Sequence, residues 1–470
     1  MINEQLDERF DAVILGSGQA GNPLAKDLAK AGWKVAVVES WHIGGTCVNV
    51  GCTPSKTMAA SARVAYLARR GEDFGVHGGE VTVDLAEVVA RKRKIVERAN
   101  QGNIKSLLAA DVTIVMGKGS FAEEAAEAGL YAIAVNSADG TERRLIAAHI
   151  FLNTGERDMV PEITGLQSIP YLDSTSIMEL ETLPRHLIVL GGGPISMEFS
   201  QMFRRFGSQV TVVERGSRLM PHEDEDIAAC ALQFLREDGI EFFFDTVAEK
   251  VSGVAGDLRV TLTSGVELRG SHLLVAVGRQ PNVESLHLER AGVAQQKNGY
   301  IQVDDRLATS AKNIWALGDV KGGPAFTHVS YDDYRIVAAN VLHNGTRSVN
   351  DRTLVWTTYT DPEIGRVGMS EEEARKSGKK LLLGTIPMSS MARAGEMAET
   401  RGLLKAIVDA ETELVLGAYV VGVDGGEVVA QIQIAMMGGL KYTALRDGMF
   451  SHPTKSEVLN TLFGALKATS

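Results

Sequence analysis

A chain of 470 residues is too long for a single hydrophobic core, so about three domains are expected. Its apolar fraction of 44% and charged fraction of 23% exclude disordered and fibrous classes, and three cysteines exclude a secreted disulfide scaffold. A net charge of −11 without a long Lys/Arg block disfavours nucleic acid and anionic lipid as partners, and no apolar run is long enough to cross a bilayer. We therefore expect a cytosolic protein with no membrane or nucleic-acid partner.

The first forty residues predict a βαβ nucleotide-binding unit. Residues 12–15 and 35–38 are expected to be strands, and residues 22–31 a helix. Between the first strand and the helix stands Gly16-Ser17-Gly18-Gln19-Ala20-Gly21, and Glu39 ends the second strand. Such glycines let backbone N–H groups approach a pyrophosphate at a helix N-terminus, and the acid can accept from a ribose hydroxyl. The unit therefore predicts a bound dinucleotide.

A second unit of the same kind follows after a helical stretch, residues 59–109, and a stretch of strands and turns, residues 112–153. Its turn is Gly191-Gly192-Gly193-Pro194-Ile195-Ser196, and its acid is Glu214. A carboxylate there repels a 2′-phosphate and favours NAD(H), although the next residues, Arg215 and Arg218, leave NADP(H) open. Ser196 replaces the third glycine and is expected to crowd the helix slightly.

The remaining segments complete the expected fold. Short strands are expected over residues 273–320, and the chain after about residue 350 alternates strand-like and helical runs typical of a separate α+β domain. The fold class is thus α/β with two Rossmann-type dinucleotide-binding domains plus a C-terminal α+β domain. The expected boundaries are 1–152, 153–275, 276–348 and 349–470.

Two closely spaced cysteines suggest redox chemistry. In Gly44-Gly45-Thr46-Cys47-Val48-Asn49-Val50-Gly51-Cys52-Thr53-Pro54-Ser55-Lys56 the thiols are five residues apart, about 140° round a regular helix, so bridging them requires an irregular helix start. A redox disulfide is favoured over a metal site, since only His42 is near, and over inert core thiols. Cys230, in a helical stretch, is expected to fill core space.

Those residues, with the motifs that follow them, resemble the class I pyridine nucleotide-disulfide oxidoreductases, a family that includes dihydrolipoamide dehydrogenase, glutathione reductase and mercuric reductase. The further matching motifs are Thr154-Gly155, residues 277–282, residues 315–319, and residues 451–454 with Glu457. Within the family, residues 332–337 and 450–453 most resemble the copper(II)-reducing flavoprotein of bacterial reactive-chlorine resistance and mercuric-reductase-like proteins.

The resemblance implies FAD and NAD(H) as cofactors, with NADP(H) possible, and a homodimer. It assigns residues 1–152 and 276–348 to FAD, residues 153–275 to the nicotinamide nucleotide and residues 349–470 to dimerisation. The residues implied to hold FAD are Gly16, Gly18, Gly21, Glu39, Gly45, Thr46, Lys56, Gly119, Thr154, Gly155, Gly318, Asp319, Ala325, Phe326, Thr327 and His328. Those implied to hold NAD are Gly191, Gly193, Ile195, Glu198, Glu214 and Gly278.

The resemblance also implies the catalytic groups. Cys52 would face the flavin, and Cys47 would exchange with the substrate. His452 would be the general base, oriented by Glu457, and both would come from the other subunit of the dimer. Lys56, paired with Glu198, would stabilise the reduced flavin.

The function expected is an FAD-dependent NAD(P)H:disulfide oxidoreductase that passes electrons to a small acceptor in redox or metal stress, involving copper or mercury ions. Pro194 stands where dihydrolipoamide dehydrogenases and glutathione reductases carry an aromatic lid. Two alternatives stay open: a dihydrolipoamide dehydrogenase and a non-catalytic flavin-bound redox sensor. Met388, Met391 and Met397 could be soft copper ligands, but loop and core filler is favoured, and no metal site is predicted.

Overall fold

The computed structural model describes residues 7–123 and 127–469, which form two compact units. Unit 1 comprises the described residues up to Thr57, Ala90–Met159 and Gly278–Arg352, and unit 2 comprises Met58–Val89, Val160–Val277 and the residues from Thr353 onward. The helices are α1 Gly21–Lys30, α2 Gly45–Asn49, α3 Cys52–Arg69, α4 Leu85–Leu108, α5 Pro194–Phe206, α6 Glu225–Glu237, α7 Thr327–His343, α8 Glu371–Lys376, α9 Ala392–Glu396, α10 Gly425–Met437, α11 Tyr442–Arg446 and α12 Val458–Gly464.

The strands are numbered in the same way along the chain. They are β1 Glu8–Leu15, β2 Val35–Glu39, β3 Thr113–Met116, β4 Lys118–Phe121, β5 Tyr131–Asn136, β6 Glu142–Leu152, β7 Glu156–Asp158, β8 His186–Leu190, β9 Gln209–Val213, β10 Glu241–Phe243, β11 Ala248–Val254, β12 Asp257–Leu262, β13 Glu267–Gly270, β14 His272–Val275, β15 Arg279–Pro281, β16 Ile314–Ala316, β17 Val355–Thr358, β18 Glu363–Gly368, β19 Leu381–Pro387, β20 Leu403–Asp409, β21 Val415–Gly422 and β22 Lys467–Ala468.

Unit 1 is built on a mixed sheet with the order β3-β2-β1-β6-β5-β4, and β16 pairs with β6. Strands β3, β2, β1, β6 and β16 are parallel, whereas β4 and β5 are antiparallel. The run Val35 to Val38 is buried throughout, as expected for a parallel strand covered on both faces. The predicted strands 12–15 and 35–38 lie within β1 and β2, so this part of the prediction is confirmed.

Unit 2 contains the second nucleotide-binding unit and the C-terminal block. A parallel sheet has the order β10-β9-β8-β14, and a small antiparallel sheet has the order β11-β12-β13. The C-terminal block is an antiparallel sheet with the order β17-β18-β21-β20-β19-β22, against which α10 packs through Val428, Val429 and Ile432. The carboxyl ends of β8 and β9 carry the second glycine loop and its acid.

The helical stretch predicted over residues 59–109 is instead two helices, α3 and α4, separated by residues 70–84. Glycines explain the interruption. A Cβ at Gly71 would lie 2.6 Å from the backbone oxygen of Val76, and Gly75 has a φ of +72°. Side chains at these positions would therefore clash or be strained, so glycine permits the turn that separates the two helices.

The expected fold class is confirmed, with two Rossmann-type units and a C-terminal α+β domain. The four domain boundaries stay a prediction. No helix among the described residues has the length and apolar character needed to cross a membrane.

Candidate functional site

The first glycine loop brings backbone segments so close that no side chain would fit between them. A Cβ at Gly16, where φ is +100°, would lie 2.2 Å from the backbone oxygen of Asn153. A Cβ at Gly45, where φ is +66°, would lie 2.6 Å from the Cα of Gly18. The segment that leads to the cysteines therefore packs directly on the loop, and only glycine permits this approach.

Glu39 ends β2 beside this loop, and its carboxylate is held by fixed donors. The backbone N–H and the hydroxyl of Ser17 donate to Oε2 over 3.0 and 2.7 Å, and the N–H of Trp41 donates to Oε1 over 2.9 Å. Since a carboxylate has about four acceptor positions, it can still accept from a ribose hydroxyl. Ser17, which is fully buried, is a site residue that the sequence analysis did not single out.

Asn153 is a second residue that the sequence analysis missed. Its Nδ2 donates to the backbone oxygen of Gly16 over 3.1 Å, and a Cβ at Gly318 would lie 3.0 Å from its Oδ1. Thr154 follows it and donates to the backbone oxygen of Asn282 over 2.8 Å, while Asn282 Nδ2 donates back to Thr154 over 2.9 Å. The motif at Thr154-Gly155 and the one ending at Asn282 are therefore joined.

Gly119 lies in β4, where a Cβ would be 2.8 Å from Leu15 Cδ2 and 3.1 Å from Val38 Cγ1. Packing alone accounts for a glycine at this position. Its place near FAD stays a prediction.

Asp319 lies in a 3₁₀ helix, Gly318–Lys321. Burial raises the pKa of its carboxyl above the ordinary value, and Arg279 and Lys321 oppose that rise. The N–H of Gly318 donates to Oδ2 of Asp333 over 2.8 Å, and Asp333 is completely buried. The hydrogen bond to Asp333, which lies in α7, thus fixes the turn that carries Asp319. Together with the glycine loop and Glu39, these groups fit the phosphates and hydroxyls of FAD.

The two thiols meet where α2 gives way to α3. Cys47 lies in α2 and is half-buried, and Cys52 is the exposed first residue of α3. A Cβ at Gly51 would lie 3.2 Å from the Cα of Cys47, so glycine lets α3 begin against α2. The predicted irregular helix start is present. A hydrogen bond between the thiols raises the pKa of Cys47, and burial raises it further.

Other side chains hold this segment in place. Asn49 Nδ2 donates to the backbone oxygens of His42, Ile43 and Gly45, and Asn100 Nδ2 donates to Ile43 over 2.6 Å. The N-terminal part of α7 meets the cysteines. Thr327 Oγ1 lies 3.3 Å from Cys52 Sγ, while the rings of Phe326 and His328 stack at 5.5 Å, next to Ala325. Thr46 is exposed at the start of α2.

The second glycine loop, in unit 2, repeats the close approach of the first. A Cβ at Gly191, where φ is +108°, would lie 2.3 Å from the backbone oxygen of Ala276. Ser196 is fully buried and donates its hydroxyl hydrogen to the backbone oxygen of Gly191, and the expected crowding of the helix stays a prediction. Gly193 precedes α5 with open space around it, and Ile195 is half-buried in the first turn.

Glu214 follows β9 at the edge of this loop. The N–H of Gly216 donates to its Oε1 over 2.7 Å, and a Cβ at Gly192 would lie 2.8 Å from its Oε2. Arg215 is exposed, whereas Arg218 donates to the backbone oxygen of Pro221 over 3.0 Å. The carboxylate is therefore fixed at the edge of the second glycine loop, and its contact with an adenosine ribose stays a prediction.

Three predicted site residues are distributed between the units. Gly278, with a φ of +143°, accepts from the N–H of Met159 in unit 1. Lys56 lies in unit 1, and Glu198 lies in α5 of unit 2, where it accepts from the N–H of Tyr359 over 2.8 Å. The Lys56–Glu198 pair stays a prediction.

The C-terminal block brings together His452 and Glu457, whose roles as base and orienting acid stay a prediction. His452 Nδ1 lies 2.8 Å from Glu457 Oε2, and the histidine side chain is 71% exposed, whereas the glutamate is 19% exposed. An imidazole that donates from Nδ1 to a carboxylate presents Nε2 as the acceptor. Met388 and Met391 are buried in the core of this block, which supports their interpretation as core residues.

A fold with two dinucleotide loops and a cysteine pair beside the first defines a two-cofactor redox protein. Residues 10–333 match the model of the pyridine nucleotide-disulphide oxidoreductases, and residues 354–463 match the dimerisation domain of the same family. The chain belongs to this family. Membership confirms the predicted enzyme class, the cofactors FAD and a nicotinamide nucleotide, and a homodimer.

Two related proteins and one solved structure show which members of the family the chain is similar to. The chain is 39% identical to the probable pyridine nucleotide-disulfide oxidoreductase RclA of Escherichia coli strain K12, over 98% of this chain and 100% of that protein. It is 33% identical to a mercuric reductase of Bacillus cereus, over 97% of this chain and 72% of that protein. The Cu(II) complex of the HOCl-induced flavoprotein disulfide reductase RclA from E. coli superimposes with a TM-score of 0.89 at 38% identity, covering 97% of this chain and 99% of that one.

Proposed function

We propose that this disulfide oxidoreductase uses NADH to reduce a small oxidant or a metal ion such as copper(II), as part of redox or metal stress defence. The observation that carries the proposal is the Cys47–Cys52 pair, which is joined by a hydrogen bond and follows the segment at Gly45 that packs directly on the first glycine loop. The similarity to a HOCl-induced flavoprotein solved with Cu(II) and to a mercuric reductase supports this class of acceptor.

The chain's own residues would bind and orient both cofactors. N–H groups of the loop from Gly16 to Gly21 would bind the pyrophosphate of FAD, and Glu39 and Asp319 would bind its hydroxyl groups. FAD, when bound, supplies the relay of two electrons from the nicotinamide to the disulfide. Lys56 would place a positive charge beside the flavin.

The two thiols and His452 would carry out the remaining electron and proton transfers. Hydride equivalents break the S–S bond and leave one thiolate and one thiol. Because Cys47 is half-buried and Cys52 is exposed, Cys47 would keep the proton and Cys52 would carry the charge. In the homodimer, His452 of one subunit would accept the Cys47 proton of the other when the acceptor is reduced.

NADH is the nicotinamide that Glu214 favours. Its carboxylate, held by the N–H of Gly216, would accept from the ribose 2′-hydroxyl and repel a 2′-phosphate. We expect a higher kcat/KM for NADH than for NADPH, and a ratio reduced about tenfold in Glu214→Gln, since one charge-assisted hydrogen bond is lost. A wild-type preference for NADPH would contradict this assignment.

The experiment that tests the function is an anaerobic titration of the yellow protein with NADH. A long-wavelength charge-transfer band at two electrons per subunit is expected, together with NADH oxidation that rises when copper(II) is added. Cys47→Ser is expected to lose turnover, whereas Cys230→Ser is expected to keep it. A charge-transfer band without a copper-dependent increase in NADH oxidation would rule out copper(II) as the acceptor. The proposed disulfide chemistry would remain supported.

A dihydrolipoamide dehydrogenase is the second candidate, because a histidine base with an orienting carboxylate, supplied by the second subunit, would suit a dithiol substrate. Rapid reduction of NAD by dihydrolipoamide would decide for it. The flavin-bound sensor predicts that Cys47→Ser leaves turnover unchanged. We also propose a cytosolic location, which the low cysteine content supports.

A further inference from the structure

The turn between β17 and β18, residues 359–362, lies along α5 within unit 2. The N–H of Asp361 donates to Oε1 of Gln201 over 2.7 Å, and Gln201 Nε2 donates to the backbone oxygen of Asp361 over 2.8 Å. Two residues earlier, the N–H of Tyr359 donates to Oε1 of Glu198 over 2.8 Å. Because Glu198 precedes Gln201 by almost one helical turn, these bonds place Tyr359 nearer than Asp361 to the start of α5.

The start of α5 is the place where the second glycine loop would bind phosphate. Pro194 is the first residue of the helix, directly after Gly193. Residues four apart on a helix are neighbours on one face, so Glu198 lies one turn above Pro194. Since the phosphates of a dinucleotide bind at a helix N-terminus, the hydrogen bond to Glu198 brings Tyr359 to within about one turn of the nucleotide site.

Tyr359 has an exposed ring on a backbone that is otherwise buried. The side chains on either side of it, Thr358 and Thr360, are both buried, and Thr360 Oγ1 donates to the backbone oxygen of Pro362 over 2.8 Å. Tyr359 itself is 45% exposed. The backbone of the turn is thus held by burial and hydrogen bonds, while the aromatic ring stays available to a ligand. A flat aromatic surface beside a nucleotide loop is suited to contact a planar ring.

We propose that Tyr359 binds the nicotinamide ring of NADH through its phenyl ring. The inference rests on the proposed function, in which NADH is the electron donor, and on the predicted place of Glu198 near Lys56 and the flavin. Since hydride passes directly from the nicotinamide to the flavin, the nicotinamide end of the nucleotide must lie toward Glu198, and the adenosine end toward Glu214. Contact with Tyr359 would then help to hold the nicotinamide in its reactive orientation.

The test compares a ligand that has the nicotinamide ring with one that lacks it. NAD and ADP-ribose share the adenosine, the pyrophosphate and the second ribose, so only the ring distinguishes them. Their dissociation constants are measured by calorimetry on the oxidised holoprotein, for the wild type, Tyr359→Ala and Tyr359→Phe. Phe74→Ala is the matched control, because Phe74 is 47% exposed in the same unit, in the 3₁₀ helix Gly71–Phe74. Thermal unfolding and flavin content check that every variant is folded and loaded.

We expect Tyr359→Ala to bind NAD about tenfold more weakly than the wild type, and ADP-ribose within about twofold, because only the ring contact is lost. Tyr359→Phe and Phe74→Ala should bind both ligands within about twofold of the wild type. Unchanged NAD affinity in Tyr359→Ala would overturn the proposal. Equal weakening of both ligands would also overturn it, since that result would place Tyr359 at the shared part of the nucleotide or show a general disturbance of the loop.

The binding measurement involves neither the disulfide nor an electron acceptor. Absence of the charge-transfer band on titration with NADH, or of copper-dependent NADH oxidation, would therefore count against the proposed function and leave the difference between NAD and ADP-ribose intact. Failure of the ligand comparison would instead remove the role of Tyr359 and leave the disulfide chemistry.

Discussion

The proton chemistry assigned to this chain depends on one imidazole. His452 is largely exposed, and its Nδ1 lies 2.8 Å from Glu457 Oε2. A carboxylate bound to Nδ1 fixes which ring nitrogen carries the hydrogen, so that Nε2 can accept a proton from a thiol. The orientation of the imidazole, set by Glu457, and its ability to accept a proton can therefore be tested by separate substitutions.

Replacement of His452 by Asn should lower kcat with a thiol or disulfide acceptor by about 10²- to 10⁴-fold, the usual contribution of a general base. Glu457→Gln should cost less, about tenfold, because the base remains and only its orientation is lost. Stopped-flow measurement of flavin reduction by NADH is the control, and it should be unchanged in both variants. Slower flavin reduction in either variant would contradict the assigned role.

At the scale of elements, α7 holds the turn that carries Asp319. Asp333 is completely buried, accepts from the N–H of Gly318, and pairs with Lys321 and Arg352. Its neighbour Asp332 also pairs with Arg352 and Arg347 but is 20% exposed. The sequence motif that suggested the chlorine-resistance relatives thus contains one buried anchor and one surface ion pair.

Asp333→Asn should destabilise the protein by about 3–5 kcal/mol, since it leaves the buried Lys321 ammonium with an uncharged partner and removes one of the two carboxylates that pair with Arg352, and it should weaken FAD retention. Asp332→Asn, one residue away, should cost under about 1 kcal/mol, because its ion pairs are partly exposed. Denaturant unfolding and flavin release on dilution would measure both effects. Equal losses of unfolding free energy and of bound flavin in the two variants would show that the effect does not depend on the burial of Asp333.

For the whole molecule, the match to the family's dimerisation domain supports a homodimer. Large apolar side chains are exposed on α10, where Ile434 is 68% exposed and Met437 is 70% exposed. Exposed apolar groups on a domain of this type are expected to be covered by the second subunit.

Ile434→Glu should convert the dimer into monomers, because an unpaired charge would be buried at the interface. Val254→Glu is the matched control, since Val254 is 67% exposed at the end of β11, outside the dimerisation domain. Analytical ultracentrifugation measures the mass, and acceptor reduction should fall in the monomer while flavin reduction by NADH persists. A dimeric Ile434→Glu variant would place the interface elsewhere.

Much of the site could be predicted from the sequence because its signals are local. Each glycine loop lies within about thirty residues of its acid, Glu39 or Glu214, and the cysteines are five residues apart. Local spacing fixes the strand, turn and helix in which these residues stand. The irregular helix start between Cys47 and Cys52 could be predicted for the same reason, from Gly51.

Contacts between distant segments were decided only by the tertiary structure. Asn153 meets Gly16, Asp333 holds Gly318, and Thr327 reaches Cys52 because the order of strands in the unit 1 sheet brings their segments together. The sequence by itself determined the cofactor loops and the redox pair, since short-range spacing specifies βαβ units. It did not determine which distant side chains contact the cysteine pair and the cofactor loops. Such contacts follow from sheet order and packing rather than from any local pattern.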